Sequence, residues 1–246
     1  MAKTEVTLAD LLANRNATYG FLSRLYKVEV DEEFYAFLRG MKFPAKTGSD
    51  EVDEGYRKIR TYLSHAPAGV MTELAVDYVR TFIGGGNNGY SAAYPFESVY
   101  TSPKRLLMQG ARDEVLVIYR AAGIDKAASW NDGEDHVALE LEFMQILGTR
   151  ASDALAAGDE EQCAALLLQQ RNFMKEHLLA WYPMMAADMH RFAKTEFYQG
   201  LADLTLGFLR TDMEFLTEVL GIDEEAERAA EEELELADLV DEDGLE

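Results

Sequence analysis

Residues 134–157, EDHVALELEFMQILGTRASDALAA, decide the fold class. Val137, Leu141, Met144 and Leu147 recur at intervals of three and four, which aligns them on one side of an α-helix. No proline interrupts the run, and Gly158-Asp159 supplies a turn at its end. The period predicts one helix from about Glu134 to Ala157, with Asp135 near its start, where the helix dipole favours a negative charge.

The same period extends in both directions. Thr7-Leu8-Ala9-Asp10 resembles a capping box ahead of a helix that reaches about Tyr26 and carries Leu8, Leu11, Leu12, Tyr19, Leu22 and Leu25. Asp31 is placed to cap a short helix bearing Phe34, Phe37 and Leu38, a third helix runs from about Ser49 to His65, and a fourth from about Gly69 to Ile83. A fifth is expected from about Lys104 to Ala122. Another spans 160–182 until Pro183 ends or kinks it, and helix resumes to Phe192. The last apolar helix spans about Thr195 to Leu220 before Gly221. No run alternates apolar and polar residues between hairpin turn signals. The expectation is an all-α, compact, bundle-like domain of about ten helices over residues 1–222.

Two segments fall outside this pattern. Gly84-Gly85-Gly86-Asn87-Asn88-Gly89 stops helix formation, and the stretch to about Pro103 holds Tyr90, Tyr94, Phe96 and Tyr100. A loop so long and so aromatic predicts an ordered binding or packing loop. Residues 223–246 form an acidic tail, helical or disordered, with 13 acidic residues against Arg228 alone.

Composition narrows the function. The net charge of −22 repels nucleic-acid phosphates and anionic lipid and favours basic partners. No basic region followed by an apolar stretch opens the chain, and no run approaches the roughly 18 apolar residues of a membrane span, so a cytoplasmic location without stable membrane insertion is expected. Cys163 is the single cysteine, which excludes an intramolecular disulfide; its neighbours read as an ordinary helix. His136 and Glu140 share a helix face at metal-ligand spacing, and with Asp135 they define an alternative, a small metal- or histidine-dependent hydrolase. Against it, none of the four histidines (65, 136, 177 and 190) sits in a Glu-x-x-His or His-Glu-x-x-His motif, and Ser98 lies in no nucleophile elbow. No cofactor is expected.

Glu134-Asp135-His136 with the continuation through Met144 resembles the signature helix of the TorD/DmsD/NarJ group, the redox-enzyme maturation chaperones of the twin-arginine export system. Tyr94-Pro95-Phe96-Glu97-Ser98-Val99-Tyr100 resembles that group's loop motif, Tyr78 and Phe82 its Tyr-x-x-x-Phe helix end, and His177-Leu178 with Trp181 and Pro183 a later motif. The order suits the group from about residue 15 to 220. Gly133-Glu134 stands where members often have a proline, Phe96 where many have tryptophan, and Thr81 where a leucine is common.

The resemblance implies a non-enzymatic chaperone that binds the twin-arginine leader and apo form of a molybdopterin oxidoreductase, assists cofactor insertion and prevents premature export. Two guanidinium groups followed by an apolar stretch need acceptors beside an apolar groove. Asp135, Glu97 and Glu140 are the candidate acceptors; Tyr78, Phe82, Phe96 and Tyr100 are candidate groove residues, with Pro95 and Ser98 in the loop. His136 is placed to hold the loop against the helix or to sense pH. Core packing is the competing account of each aromatic. Monomer and domain-swapped dimer are both compatible with the sequence.

Overall fold

In the computed structural model, which describes residues 6–84, 91–103, 105–107, 110–223 and 225–229, helices begin where the sequence supplies caps. Thr7 and Asp10 complete a reciprocal capping box at α1 (Leu8–Lys27), with the hydroxyl accepting from Asp10 N at 3.2 Å and the carboxylate from Thr7 N at 3.0 Å. Asp31 accepts from Phe34 N at the start of α2 (Glu32–Gly40), and Ser49 from Val52 N at the start of α3 (Asp50–Ser64). Helix α4 (Val70–Tyr78) runs on into a π turn, Val79–Ile83. After it come α5 (Glu97–Thr101), α6 (Gly110–Ala121), α7 (Val137–Ala156), α8 (Glu160–Phe173), a second π turn (Met174–Leu178), α9 (Leu179–Phe192) and α10 (Glu196–Leu220). The fold is all-α, and among the described residues the one β-type pairing is an isolated antiparallel bridge between Phe96 and His136.

Three expected boundaries move. The fifth predicted helix begins at Gly110 rather than Lys104, and the described residues 105–107 before it are non-helical with Leu106 and Leu107 exposed. The signature helix begins at Val137 rather than Glu134, because Glu134 and Asp135 form a turn and His136, in extended conformation, pairs with the loop. Pro183 does not end its helix. A proline inside a helix costs about 3 kcal/mol, but Trp181, Tyr182, Met185 and Met189 around it are wholly buried, and one such apolar side chain contributes about 1.5–3 kcal/mol. The aromatic loop also contains α5, which its length did not reveal. The predicted turn at 84–89 and Tyr90 fall outside the described residues after Gly84, as do residues 230–246 of the tail.

Helix α7 lies at the centre, packed on α1 and α8, while α3 packs along α10. Gly55 permits that second contact: a Cβ there would sit 2.5 Å from the Leu204 backbone nitrogen. Four helices are joined by one buried polar lock. Arg15 of α1 forks onto Asp212 of α10, Tyr19 donates to the same carboxylate at 2.5 Å, Gln170 of α8 accepts from Arg15 at 3.2 Å, and Gln170 donates to the Met144 carbonyl of α7 at 2.6 Å. A second anchor is Asp77 of α4, buried and accepting from Lys194 N and Thr195 N at the α9–α10 corner. Cys163 is buried in α8, and burial raises its thiol pKa, in keeping with an ordinary structural cysteine.

Candidate functional site

The loop and the signature helix meet through backbone groups. Val137 N donates to the Pro95 carbonyl and Glu97 N to the Asp135 carbonyl, both at 2.9 Å, so Phe96 and His136 pair as a single β-bridge. Asp135 then does for α5 what a capping residue does for its own helix. Its carboxylate accepts from Ser98 N at 3.0 Å, and with its carbonyl it satisfies the first two N–H groups of α5. Gly133 makes room for this, since a Cβ there would lie 2.6 Å from Asp135 Oδ1.

His136 caps α7. Its Nδ1 accepts from Ala138 N at 3.0 Å, which leaves the proton on Nε2. Phe96 and Trp130 pack edge-on against its ring, with centroids at 4.9 and 5.1 Å. Burial among them, with Lys27 adding a smaller push, lowers its pKa to about 3, so the ring is neutral at physiological pH. His136 therefore holds the loop on the helix, and it does not titrate between pH 5 and 8.

Behind the bridge lie two buried carboxyl groups, Glu97 and Glu140. Glu97 turns inward to His177 Nδ1 at 3.0 Å, and His177 sits on the second π turn, stacked on Phe173. Glu140, four residues after His136, accepts from Trp181 Nε1 at 3.1 Å. Burial, and then the negative charges of Glu97 and Asp135, raise the Glu140 pKa well above the usual carboxyl range. The other carboxyl oxygen of Glu140, Oε1, is buried with no hydrogen-bond partner among the described residues. Tyr100 stacks on Trp181 at 5.5 Å. Ser98 Oγ, the Tyr100 hydroxyl and Asp135 Oδ1 are buried with no hydrogen-bond partner among the described residues. At the outer edge, Glu134 is gripped by Arg112 at 2.6 Å and Lys126 at 2.9 Å, which hold its pKa down against the effect of burial.

Eight of the ten residues singled out in the sequence thus share one place: Pro95, Phe96, Glu97, Ser98, Tyr100, Asp135, His136 and Glu140. Tyr78 and Phe82 belong to a different aromatic group with Tyr26 and Tyr198, where both are buried and Tyr78 donates to the Tyr26 carbonyl at 2.9 Å. Sequence reasoning did not place here Trp130, the Arg112–Lys126 grip or Tyr119, whose hydroxyl donates to the Glu134 carbonyl at 3.3 Å. It noticed His177 and Trp181 but gave them no site role, although their four-residue spacing aligns them on one helix face.

The hydrolase alternative does not fit this arrangement. His136 Nδ1 is occupied by its cap, Glu140 is buried against Trp181 with its pKa raised well above the usual carboxyl range, and Asp135 is engaged with α5. Among the described residues no group of three or more His, Cys, Asp and Glu side chains could hold a metal ion, and no helix is long and apolar enough to cross a membrane.

Comparison with known proteins agrees with the signature motifs. The family model described as nitrate reductase delta subunit matches residues 47–187, more than half of the chain. A chaperone protein TorD of Vibrio cholerae (the classical Ogawa 395 strain) is 30% identical over 225 residues, covering 87% of this chain and 96% of its own. Proteins of the same description from Photobacterium profundum (29% identity, 75% of this chain and 82% of the relative) and Aliivibrio salmonicida (26%, 82% and 94%) are also similar.

Proposed function

Because this chain belongs to the nitrate reductase delta subunit family, that of the TorD-type redox-enzyme maturation chaperones, we propose that it binds the twin-arginine leader and apo form of a molybdopterin oxidoreductase in the cytoplasm, before export. The observation that carries the reading is the unfilled acceptor capacity at the junction of loop and signature helix. Among the described residues Asp135 Oδ1, Ser98 Oγ and the Tyr100 hydroxyl lack partners, and Glu97 and Glu140 stand behind them. A guanidinium group brings five N–H donors and no acceptor, so it matches such a set of oxygens. These groups are buried in the closed fold, and binding requires the short α5 segment to lift from Asp135. That movement gives up two backbone hydrogen bonds and one side-chain cap, each worth about 1 kcal/mol net, an amount that charge-assisted bonds to arginine offset.

Calorimetric titration with synthetic leader peptides of dimethyl sulfoxide, trimethylamine N-oxide and nitrate reductases tests the proposal, each leader paired with a twin-lysine control. Saturable binding that weakens with salt, disappears with lysine and drops at least about tenfold in Asp135→Asn supports it. Asparagine keeps an oxygen for Ser98 N and removes only the charge, so loss of binding in that variant is not a loss of the loop anchor. Equal binding of the lysine control, or no binding to any leader by folded protein, rejects the reading.

A further inference from the structure

Trp130, whose ring packs against His136, also forms one wall of an open slot of about 240 Å³. Its other apolar walls are Leu139, Phe143 and Ile146 of α7 and Ile124 of the loop between α6 and α7. All but Phe143 are only half-buried, so the slot faces solvent. At its mouth Lys27 pairs with Glu142 at 3.0 Å and lies 5.6 Å from the Trp130 ring centre, with Asp125 nearby.

We infer that this slot receives one bulky apolar side chain of the leader, while Glu142 at its mouth takes a neighbouring basic residue; the inference rests on the proposed leader recognition and extends its footprint along α7. Size limits the occupant. A cavity of about 150 Å³ accommodates benzene, so 240 Å³ holds one phenylalanine- or leucine-sized side chain and is far too small for a helix. Charge selects it. The Lys27 and Glu142 side chains are 37% and 39% exposed, and such a surface pair contributes about 0–1 kcal/mol, so an incoming guanidinium displaces Lys27 at little cost. Lys27 then keeps its position over Trp130, and the chain's charge of −22 draws in a basic peptide rather than an acidic one. Spacing sets the register. Glu142 lies six residues beyond His136, about 9 Å along a helix, which an extended peptide covers in roughly three residues. The basic residue that meets Glu142 is therefore expected about three positions after the arginine that reaches Asp135, with the apolar anchor beside it.

Two measurements test this. Methyl NMR of the full chain during titration with toluene should show shifts at Ile124, Leu139 and Ile146; no shift at any of them means the slot takes no apolar group and overturns the inference. In parallel, the leaders used above are titrated against wild type and Ile146→Phe, a variant that fills the slot, with its thermal melt recorded to verify folding. Ile146→Phe should weaken the parent leader by about tenfold or more, and should change little for a leader whose anchor residue is alanine. If Ile146→Phe binds the parent leader as wild type does while Asp135→Asn loses it, leader recognition stands and the slot is not part of it. If no leader binds wild type, both readings fall.

Discussion

At the scale of single residues, two buried groups titrate in opposite directions. His136 has its pKa lowered from 6.5 to about 3, so below pH 6.5 the unfolded chain takes up a proton that the fold refuses. Its contribution to stability is complete above pH 6.5 and declines as the pH falls toward 3. Glu140 behaves in reverse: its raised pKa means that the fold keeps a proton which the unfolded chain releases above about 4.5, so stability is lost as the pH rises through that range. Between pH 4.5 and 6.5 the two effects oppose each other. His136→Asn retains a side-chain acceptor for Ala138 N, and Glu140→Gln retains one for Trp181, so each variant isolates the other group. Urea midpoints across that window should fall with rising pH in His136→Asn relative to wild type and rise in Glu140→Gln, by up to about 1.4 kcal/mol per pH unit. Midpoints that run parallel in all three proteins would mean that His136 is charged and Glu140 ionised in the fold.

At the scale of elements, Asp77 shows how one side chain positions helices that share no continuous backbone. It accepts from Lys194 N and Thr195 N, fixing the end of α4 against the corner from which α10 departs. Asp77→Ala leaves two N–H groups without their acceptor, and should lower stability by about 2–3 kcal/mol in urea unfolding and speed amide exchange at Lys194 and Thr195. Asp77→Asn, which keeps one acceptor oxygen, should lose less than half of that. The sequence announced most helices because periodicity and caps are local: Thr7, Asp31, Ser49 and Asp159 each serve an N–H three residues away. It could not announce Asp77 or the Arg15–Asp212 lock, whose partners lie 117 and 197 residues distant. The candidate site divides in the same way. Phe96, Glu97, Asp135 and His136 were legible through the resemblance of their motifs, whereas the start of α7 was misplaced because Asp135 caps a different helix, a role that local spacing does not reveal.

At the scale of the whole molecule, the acidic C-terminal stretch is tied to the body at one described point. After α10, Asp223 accepts from Glu225 N and Ala226 N and starts a helical turn over 225–229, which brings Glu227 onto Arg171 in a two-bond fork of 3.0 and 2.7 Å. The fork and the nearby Lys175 hold the Glu227 pKa down to about 2. Arg171 is only 1% exposed and also donates to Thr217 of α10 at 3.1 Å, so its guanidinium is committed to the interior whether or not the tail is present. Removing one partner of a buried pair costs more than replacing the pair with apolar groups, because the remaining charge stays desolvated. Ending the chain at residue 222 should therefore lower stability by about 1–3 kcal/mol, and Arg171→Leu in the shortened chain should recover most of the loss. The same substitution in the full chain, which strands Glu227 at a partly exposed position, should cost less than the truncation. Urea midpoints of these four proteins decide it: a truncation that changes nothing would mean that the tail contact is too weak to matter, and a truncation that Arg171→Leu fails to rescue would place the tail's contribution outside the Arg171–Glu227 pair.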